Sequence, residues 1–202
     1  MSYIAKRLYR DKYAQLRDKV LNEYHLLRQS HSPRLDTMTK LLISGEDHRF
    51  LHHIGFDIIA IMRAIKNRII YNKIEGASTI EQQLVRVITN DYDKTMQRKI
   101  QEVLLATTLT FIVPKKAIPE IYLNVAYYGT RMNGLTEAMK KLEVCETDFL
   151  SLEKAAEIVS RIKYPEPLTP NLKRLSQIEK RKQHLISLFN KHKARKIIKV
   201  YG

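Results

Sequence analysis

The sequence predicts an all-α fold in one domain, and three features predict it. Apolar residues recur every three or four positions along most of the chain, while the alternating pattern of strands is scarce. Only six glycines and six prolines interrupt 202 residues, which leaves room for long helices. With 44% hydrophobic residues, a chain of this length buries a substantial core. The one cysteine, Cys145, excludes an intrachain disulfide framework as the source of stability.

Residues 3–29 read as a basic helix carrying Leu8, Leu16, Val20 and Leu27, ended by Ser32 and Pro33. A second helix opens near Asp36, carries Met38, Leu41 and Leu42, and runs straight into Glu46 and Asp47. Between Ile58 and Tyr71, Arg63, Lys66 and Arg68 are set among isoleucines, an amphipathic mixture suited to a core edge or a membrane interface. Gly76, Ala77, Ser78 and Thr79 form a small-residue turn, with Ser78 or Thr79 placed to cap a helix running to about Ile88. A loop at 90–93 precedes a long helix from about Thr95 to Phe111, and Pro114 separates it from a segment over 116–124. A Gly129 to Gly134 loop follows, then helices over 134–143, 150–161 and 174–195, the last preceded by the turn Tyr164-Pro165-Glu166-Pro167. No internal repeat or low-complexity segment is present.

The net charge of +15 is unevenly spread. Residues 1–35 hold eight Lys/Arg against three Asp/Glu, residues 170–202 hold ten against one, and the middle is left with +1. Two basic ends on a nearly neutral body seek polyanions, either acidic lipid headgroups or nucleic acid. The start has no apolar stretch of signal-peptide length. The longest uncharged apolar run, Val103 to Val113, falls short of the ~20 residues of a spanning helix. Base-stacking aromatics and a recognition helix, which nucleic-acid binding calls for, are not evident, so no nucleic-acid partner is expected.

Three clusters carry candidate chemistry. Glu46 and Asp47 follow an apolar helix and precede His48, Arg49, Phe50, His52 and His53. A carboxylate beside apolar neighbours such as Leu42, Ile43 and Phe50 is in the setting of a general base; equally, two acids here simply end a helix. His48 and His52, four apart, would share a helix face as a zinc pair, but no third spaced ligand accompanies them. In the second cluster, Ser78 and Thr79 offer hydroxyls at a helix start, and Gln82 and Gln83 offer amides able to read sugar hydroxyls. In the third, Lys94, Arg98 and Glu102 stand four apart as one helical stripe, either a surface ion pair or a cationic rail for an anionic leaving group.

Taken in order, these blocks resemble the peptidoglycan glycosyltransferases, glycosyltransferase family 51. The family's Glu-Asp motif with its Phe, His and Gly is met by Glu46, Asp47, Phe50, His53 and Gly55. Its Gly-Gly-Ser-Thr-Ile-x-Gln-Gln run is met by Gly76, Ser78, Thr79, Ile80, Gln82 and Gln83, and its Arg-Lys-x-x-Glu by Arg98, Lys99 and Glu102. A fourth block is matched at Lys116, Tyr122, Leu123 and Asn124, and a fifth at Gly129 and Gly134–Ala138. The resemblance spans about residues 36–182 and implies a lysozyme-like helical domain with a small apolar jaw. A basic helical arm over 1–35 and a basic helix or tail over 183–202 would flank it.

The resemblance also implies an inverting transfer in which a glycan on a polyprenyl pyrophosphate is passed to the 4-hydroxyl of a second lipid-linked disaccharide. Glu46 is then the general base, and Glu102 assists departure of the pyrophosphate together with Arg86, Lys94, Arg98 and Lys99. Asp47, Phe50, Ser78, Thr79, Gln82, Gln83, Tyr122 and Asn124 are the expected contacts to pyrophosphate or sugar. Mg2+ or Mn2+ on the substrate, met by Glu46, Asp47 or Glu102, is the expected cofactor, with no organic one. The expected place is peripheral on a bacterial cytoplasmic membrane, with the basic ends on its anionic surface and the side left open.

Ala77, Glu81, Arg86, Val87 and Gln101 depart from the family's usual residues, which leaves the glycan open more than the reaction class. Three alternatives stand beside this reading: transfer of a different lipid-linked glycan at the cytoplasmic face, expected from the lack of an export signal or anchor in the sequence; a lysozyme-like hydrolase, since such a fold can place two carboxylates across a sugar; and, last, a basic nucleic-acid-binding protein resting on the net charge alone.

Overall fold

The computed structural model describes residues 3–29, 33–144, 150–169 and 171–195. Cys145, Ser32, Pro170 and the last seven residues of the basic tail lie outside them. Among the described residues the chain is nine α-helices and one small hairpin around a single core.

Helix α1, Tyr3–Gln29, places Leu16, Val20 and Leu27 four and seven residues apart and so on one face, which is buried. That face rests on α4, α5 and α6, so the change in charge at residue 35 is no break in packing. Helix α2, Pro33–Glu46, begins earlier than Asp36 because Pro33 suits a first helical turn. Its Met38, Leu41 and Leu42 are fully buried between α6, α8 and α9.

Helix α3, Ile58–Tyr71, is capped by Asp57, whose carboxylate accepts the Ile59 and Ala60 N–H groups at 2.9 and 3.1 Å. Ala60 is its one buried residue, while Ile58, Ile59, Met62, Ile65, Ile69, Ile70 and Tyr71 are all exposed. A free-standing apolar helix of this kind is the jaw the resemblance implies. Gly55 ties it down: at φ 95°, a Cβ there would stand 2.6 Å from the Ala106 backbone of α5.

Helix α4, Ile80–Thr89, is capped by Thr79 and α5, Met96–Ile112, by Thr95. Because Thr95 is the cap, Lys94 precedes the first turn of α5 and is exposed; the expected Lys94–Arg98–Glu102 stripe is shortened to Arg98 and Glu102. Helix α6, Ile118–Val125, leads into strands β1, Tyr127–Gly129, and β2, Met132–Asn133, an antiparallel hairpin where sequence predicted only a loop. Helices α7, Leu135–Lys141, α8, Leu152–Lys163, and α9, Leu172–Ala194, complete the bundle. α9 runs through residue 183 without interruption. No described helix is long and apolar enough to cross a membrane.

Candidate active site

The site is built around one face of α4. Its capping residue Thr79 is buried, accepting the Gln82 N–H at 3.3 Å and donating to the Gly55 carbonyl at 2.7 Å, so it joins the helix start to the jaw. From this fixed start, Gln83 points to one acid and Arg86, one turn on, to the other.

Glu46 is the last residue of α2. Its Oε2 accepts from the Gln83 amide at 3.3 Å and its Oε1 from Arg181 of α9 at 2.5 Å. The buried Tyr122 hydroxyl donates to the Gln83 Oε1 at 2.9 Å, fixing the amide's orientation. Burial, and then the nearby Glu46 charge, push the Tyr122 phenol far above its usual range, so it remains a donor.

Glu102 is 3% exposed and surrounded by cations. Arg86 donates to both its oxygens at 3.0 and 3.2 Å, Lys99 donates to Oε1 at 2.5 Å, and Arg98 pairs with Oε2. Burial opposes ionisation, but the hydrogen bonds from Arg86 and Lys99 and their charges outweigh it and hold the carboxyl below its usual range. Lys99 also donates to Ser78 Oγ at 3.1 Å and to Gln82 Oε1 at 3.0 Å, bringing the second and third sequence clusters together. Three cations on one carboxylate leave a formal excess of +2 at the side chains of Arg86, Arg98 and Lys99.

A cavity of about 220 Å³ adjoins both acids' partners, lined by Gln83, Arg86, Tyr92, Tyr122, Tyr127 and Pro165. A smaller one is lined by Glu46 itself with Asp47, His48, Gly76 and Ser78. One amide, three phenols and a guanidinium around a concave space suit a sugar carrying a phosphate.

Asp47 and Phe50 face inward. Asp47 accepts from the Ile80 N–H at 3.2 Å and lies 3.0 Å from His53 Nε2, binding the Glu46 loop to the start of α4. Phe50 is buried beneath the Lys115 ammonium, 4.4 Å from its ring centre. Asn124 is half-buried at the end of α6. The lysine that reaches inward is Lys115, which bonds the fully buried Glu81 at 2.7 Å, while Lys116 of the expected fourth block is exposed. Burial pushes the Glu81 carboxyl up despite the Lys115 and His53 charges.

The residues expected to meet a divalent ion are each engaged. Asp47 is taken by His53 and a backbone N–H, Glu102 by its three cations, and Glu46 keeps only Oε2 in a long neutral contact. Asp47, His53 and Glu81 are the described group whose ligand atoms come close enough for a metal, but the Lys115 ammonium already supplies the positive charge at Glu81. His48 and His52 form no zinc pair: the chain turns at Asp47 and passes through a short 3₁₀ turn at Phe50–His52, and His48 instead stacks on His192.

Comparison with known sequences decides the family. The family model described as Transglycosylase matches residues 18–190. The chain belongs to the transglycosylase family. Penicillin-binding protein 1A of Rickettsia typhi is 30% identical over 175 residues, covering 83% of this chain and 22% of the relative. The biosynthetic peptidoglycan transglycosylase of Nitrosospira multiformis is 34% identical over 129 residues, 63% of this chain and 56% of the relative. Penicillin-binding protein 1A of Escherichia coli is 37% identical over 134 residues, 66% of this chain and 16% of the relative. The chain thus spans about a fifth of the length of the penicillin-binding proteins it matches. The transglycosylase match begins inside α1 and ends inside α9, so both outer helices contribute to the family's domain.

Sequence reasoning missed two participants, Lys115 and Lys12, which pairs with Asp91 and reaches Gln101 at 3.3 Å, and although the 170–181 segment fits the family's C-terminal end it did not tie Arg181 to Glu46. All three act across long sequence separations, and no local spacing marks such contacts.

Proposed function

We propose that this transglycosylase-family chain is a peptidoglycan-type glycosyltransferase that uses lipid-pyrophosphate-linked disaccharides. The reading is carried by two carboxylates in opposite states of engagement on either side of Gln83 and Arg86. Glu46 accepts the proton of the acceptor 4-hydroxyl, whose oxygen attacks the anomeric carbon of the donor with inversion. The bond from that carbon to the pyrophosphate breaks, and the leaving group's charge develops beside Arg86, Arg98 and Lys99. Glu102 holds these cations in place. Ser78, Gln82 and Gln83 line the path between the two acids, and Tyr122 orients Gln83.

A hydrolase of the lysozyme type needs one protonated carboxylic acid. Its second carboxylate must face the sugar, and Glu102, with both oxygens taken by Arg86, Arg98 and Lys99, is unsuited to either part. A Mg2+ or Mn2+ ion reaches this site on the pyrophosphate rather than in a cage of protein carboxylates. The test is polymer formation by the purified chain from a lipid-pyrophosphate disaccharide in detergent, with Mg2+, with Mn2+ and with chelator. Polymer that depends on the pyrophosphate donor supports the reading; cleavage of preformed glycan without it contradicts the reading.

A lipid-borne substrate requires a membrane surface, and the exposed apolar face of α3 with its interspersed Arg63, Lys66 and Arg68 suits the headgroup boundary. Replacing Ile69 and Ile70, 78% and 59% exposed, by aspartate is expected to release the chain from vesicles containing anionic lipid without changing its unfolding temperature. Salt is expected to weaken the remaining binding, since the basic ends contribute through charge. Equal sedimentation of variant and wild type with vesicles contradicts the docking face.

A further inference from the structure

Helix α9 meets the Glu46 segment at consecutive points. Arg181, Leu185 and His192, four and seven residues apart, share the buried face of the helix. A Cβ on Gly45 would stand 2.2 Å from Leu185 and 2.9 Å from the Arg181 guanidinium, so α9 lies directly on the backbone there. Arg181 Nη2 donates to the Gly45 carbonyl at 3.0 Å and to Glu46 Oε1 at 2.5 Å. Two residues on, the His48 ring stacks against His192 with centres 5.7 Å apart. The helix therefore fixes the backbone before Glu46, the carboxylate itself and the loop after it.

The two oxygens of Glu46 are not equivalent. Oε1 is held by a guanidinium that is 8% exposed and bonded to a main-chain carbonyl at the same nitrogen, a combination that leaves the pair little freedom. Oε2 has a neutral amide at 3.3 Å, a contact a substrate hydroxyl can displace. We infer that Arg181 is the positioning residue of the reaction: it locks Oε1 and so presents Oε2 as the oxygen that takes the acceptor's proton. This inference rests on the transferase reading of Glu46.

The test uses the full chain with Arg181→Lys and Arg181→Ala in the polymerisation assay, beside Glu46→Gln. Arg181→Ala is expected to lower kcat by about a hundredfold, the scale of an ångström's misplacement, with KM within about twofold. Guanidinium ion at millimolar concentration is expected to restore part of that loss, and Arg181→Lys to retain more activity than Arg181→Ala. Wild-type kcat in Arg181→Ala while Glu46→Gln is inactive overturns the inference, as does a loss confined to KM. Activity of Glu46→Gln at the wild-type rate instead overturns the assignment of Glu46 as the base, and no polymer from wild type overturns the transferase reading beneath it. The contact is also read without turnover: Glu46→Gln is expected to lower the unfolding temperature much less in the Arg181→Ala background than in wild type. Additive effects overturn the contact, and with it the positioning role.

Discussion

Glu102→Gln is expected to cost the protein both stability and polymer formation. The carboxylate is buried and accepts from Arg86 and Lys99 and pairs with Arg98, so a neutral amide leaves three cations facing one another. Removing one member of a buried ionic group typically costs about 3–5 kcal/mol. The lower end applies here, because Arg86 and Lys99 are about one-third in solvent. The folded-state pKa of Glu102 is depressed, so its stabilising contribution is fully present above the usual glutamate value of 4.5 and fades as pH falls through the folded value. The gap in urea midpoint between wild type and Glu102→Gln should therefore be wide at neutral pH and close in acid. A gap unchanged into acid contradicts the ionised cluster. Loss of activity follows because the cations that receive the leaving pyrophosphate lose the group that orders them.

Glu46→Gln is expected to remove the chemical step rather than substrate binding. An amide fills the same space and its oxygen still accepts from Gln83, which Tyr122 orients, but it cannot accept the hydroxyl proton. General-base catalysis is worth about 10²–10⁴ in rate, and kcat should fall by that order with KM nearly unchanged. A rise in KM with kcat preserved would instead make Glu46 a binding residue.

Helices and local site blocks were legible because both are written in short spacings. Leu16, Val20 and Leu27 mark a buried face, Thr79 marks a cap, and Arg98, Lys99 and Glu102 share one helix. The hairpin Tyr127–Asn133 was not, because two strands of three and two residues are too short for alternation to register. Lys94 was placed on the stripe by counting fours, whereas the Thr95 cap starts the helix after it. The deeper limit is distance along the chain. Arg181 lies 135 residues from Glu46, and Lys115 lies 34 from Glu81, so only packing of α9 on α2 and of α6's leading turn on α4 brings them together. Asp47 and Phe50 read as substrate contacts in a motif; that Asp47 also bonds the start of α4 and that Phe50 lies under Lys115 depends on tertiary packing the motif does not write.

The most direct test of the division of labour between Glu46 and Glu102 is the initial rate of glycan polymer formation from one lipid-pyrophosphate disaccharide by wild type, Glu46→Gln and Glu102→Gln. The predicted result is polymer from wild type and none from either variant above about a hundredth of that rate. Polymer from Glu46→Gln at the wild-type rate would contradict the assignment of the base and the account built on it.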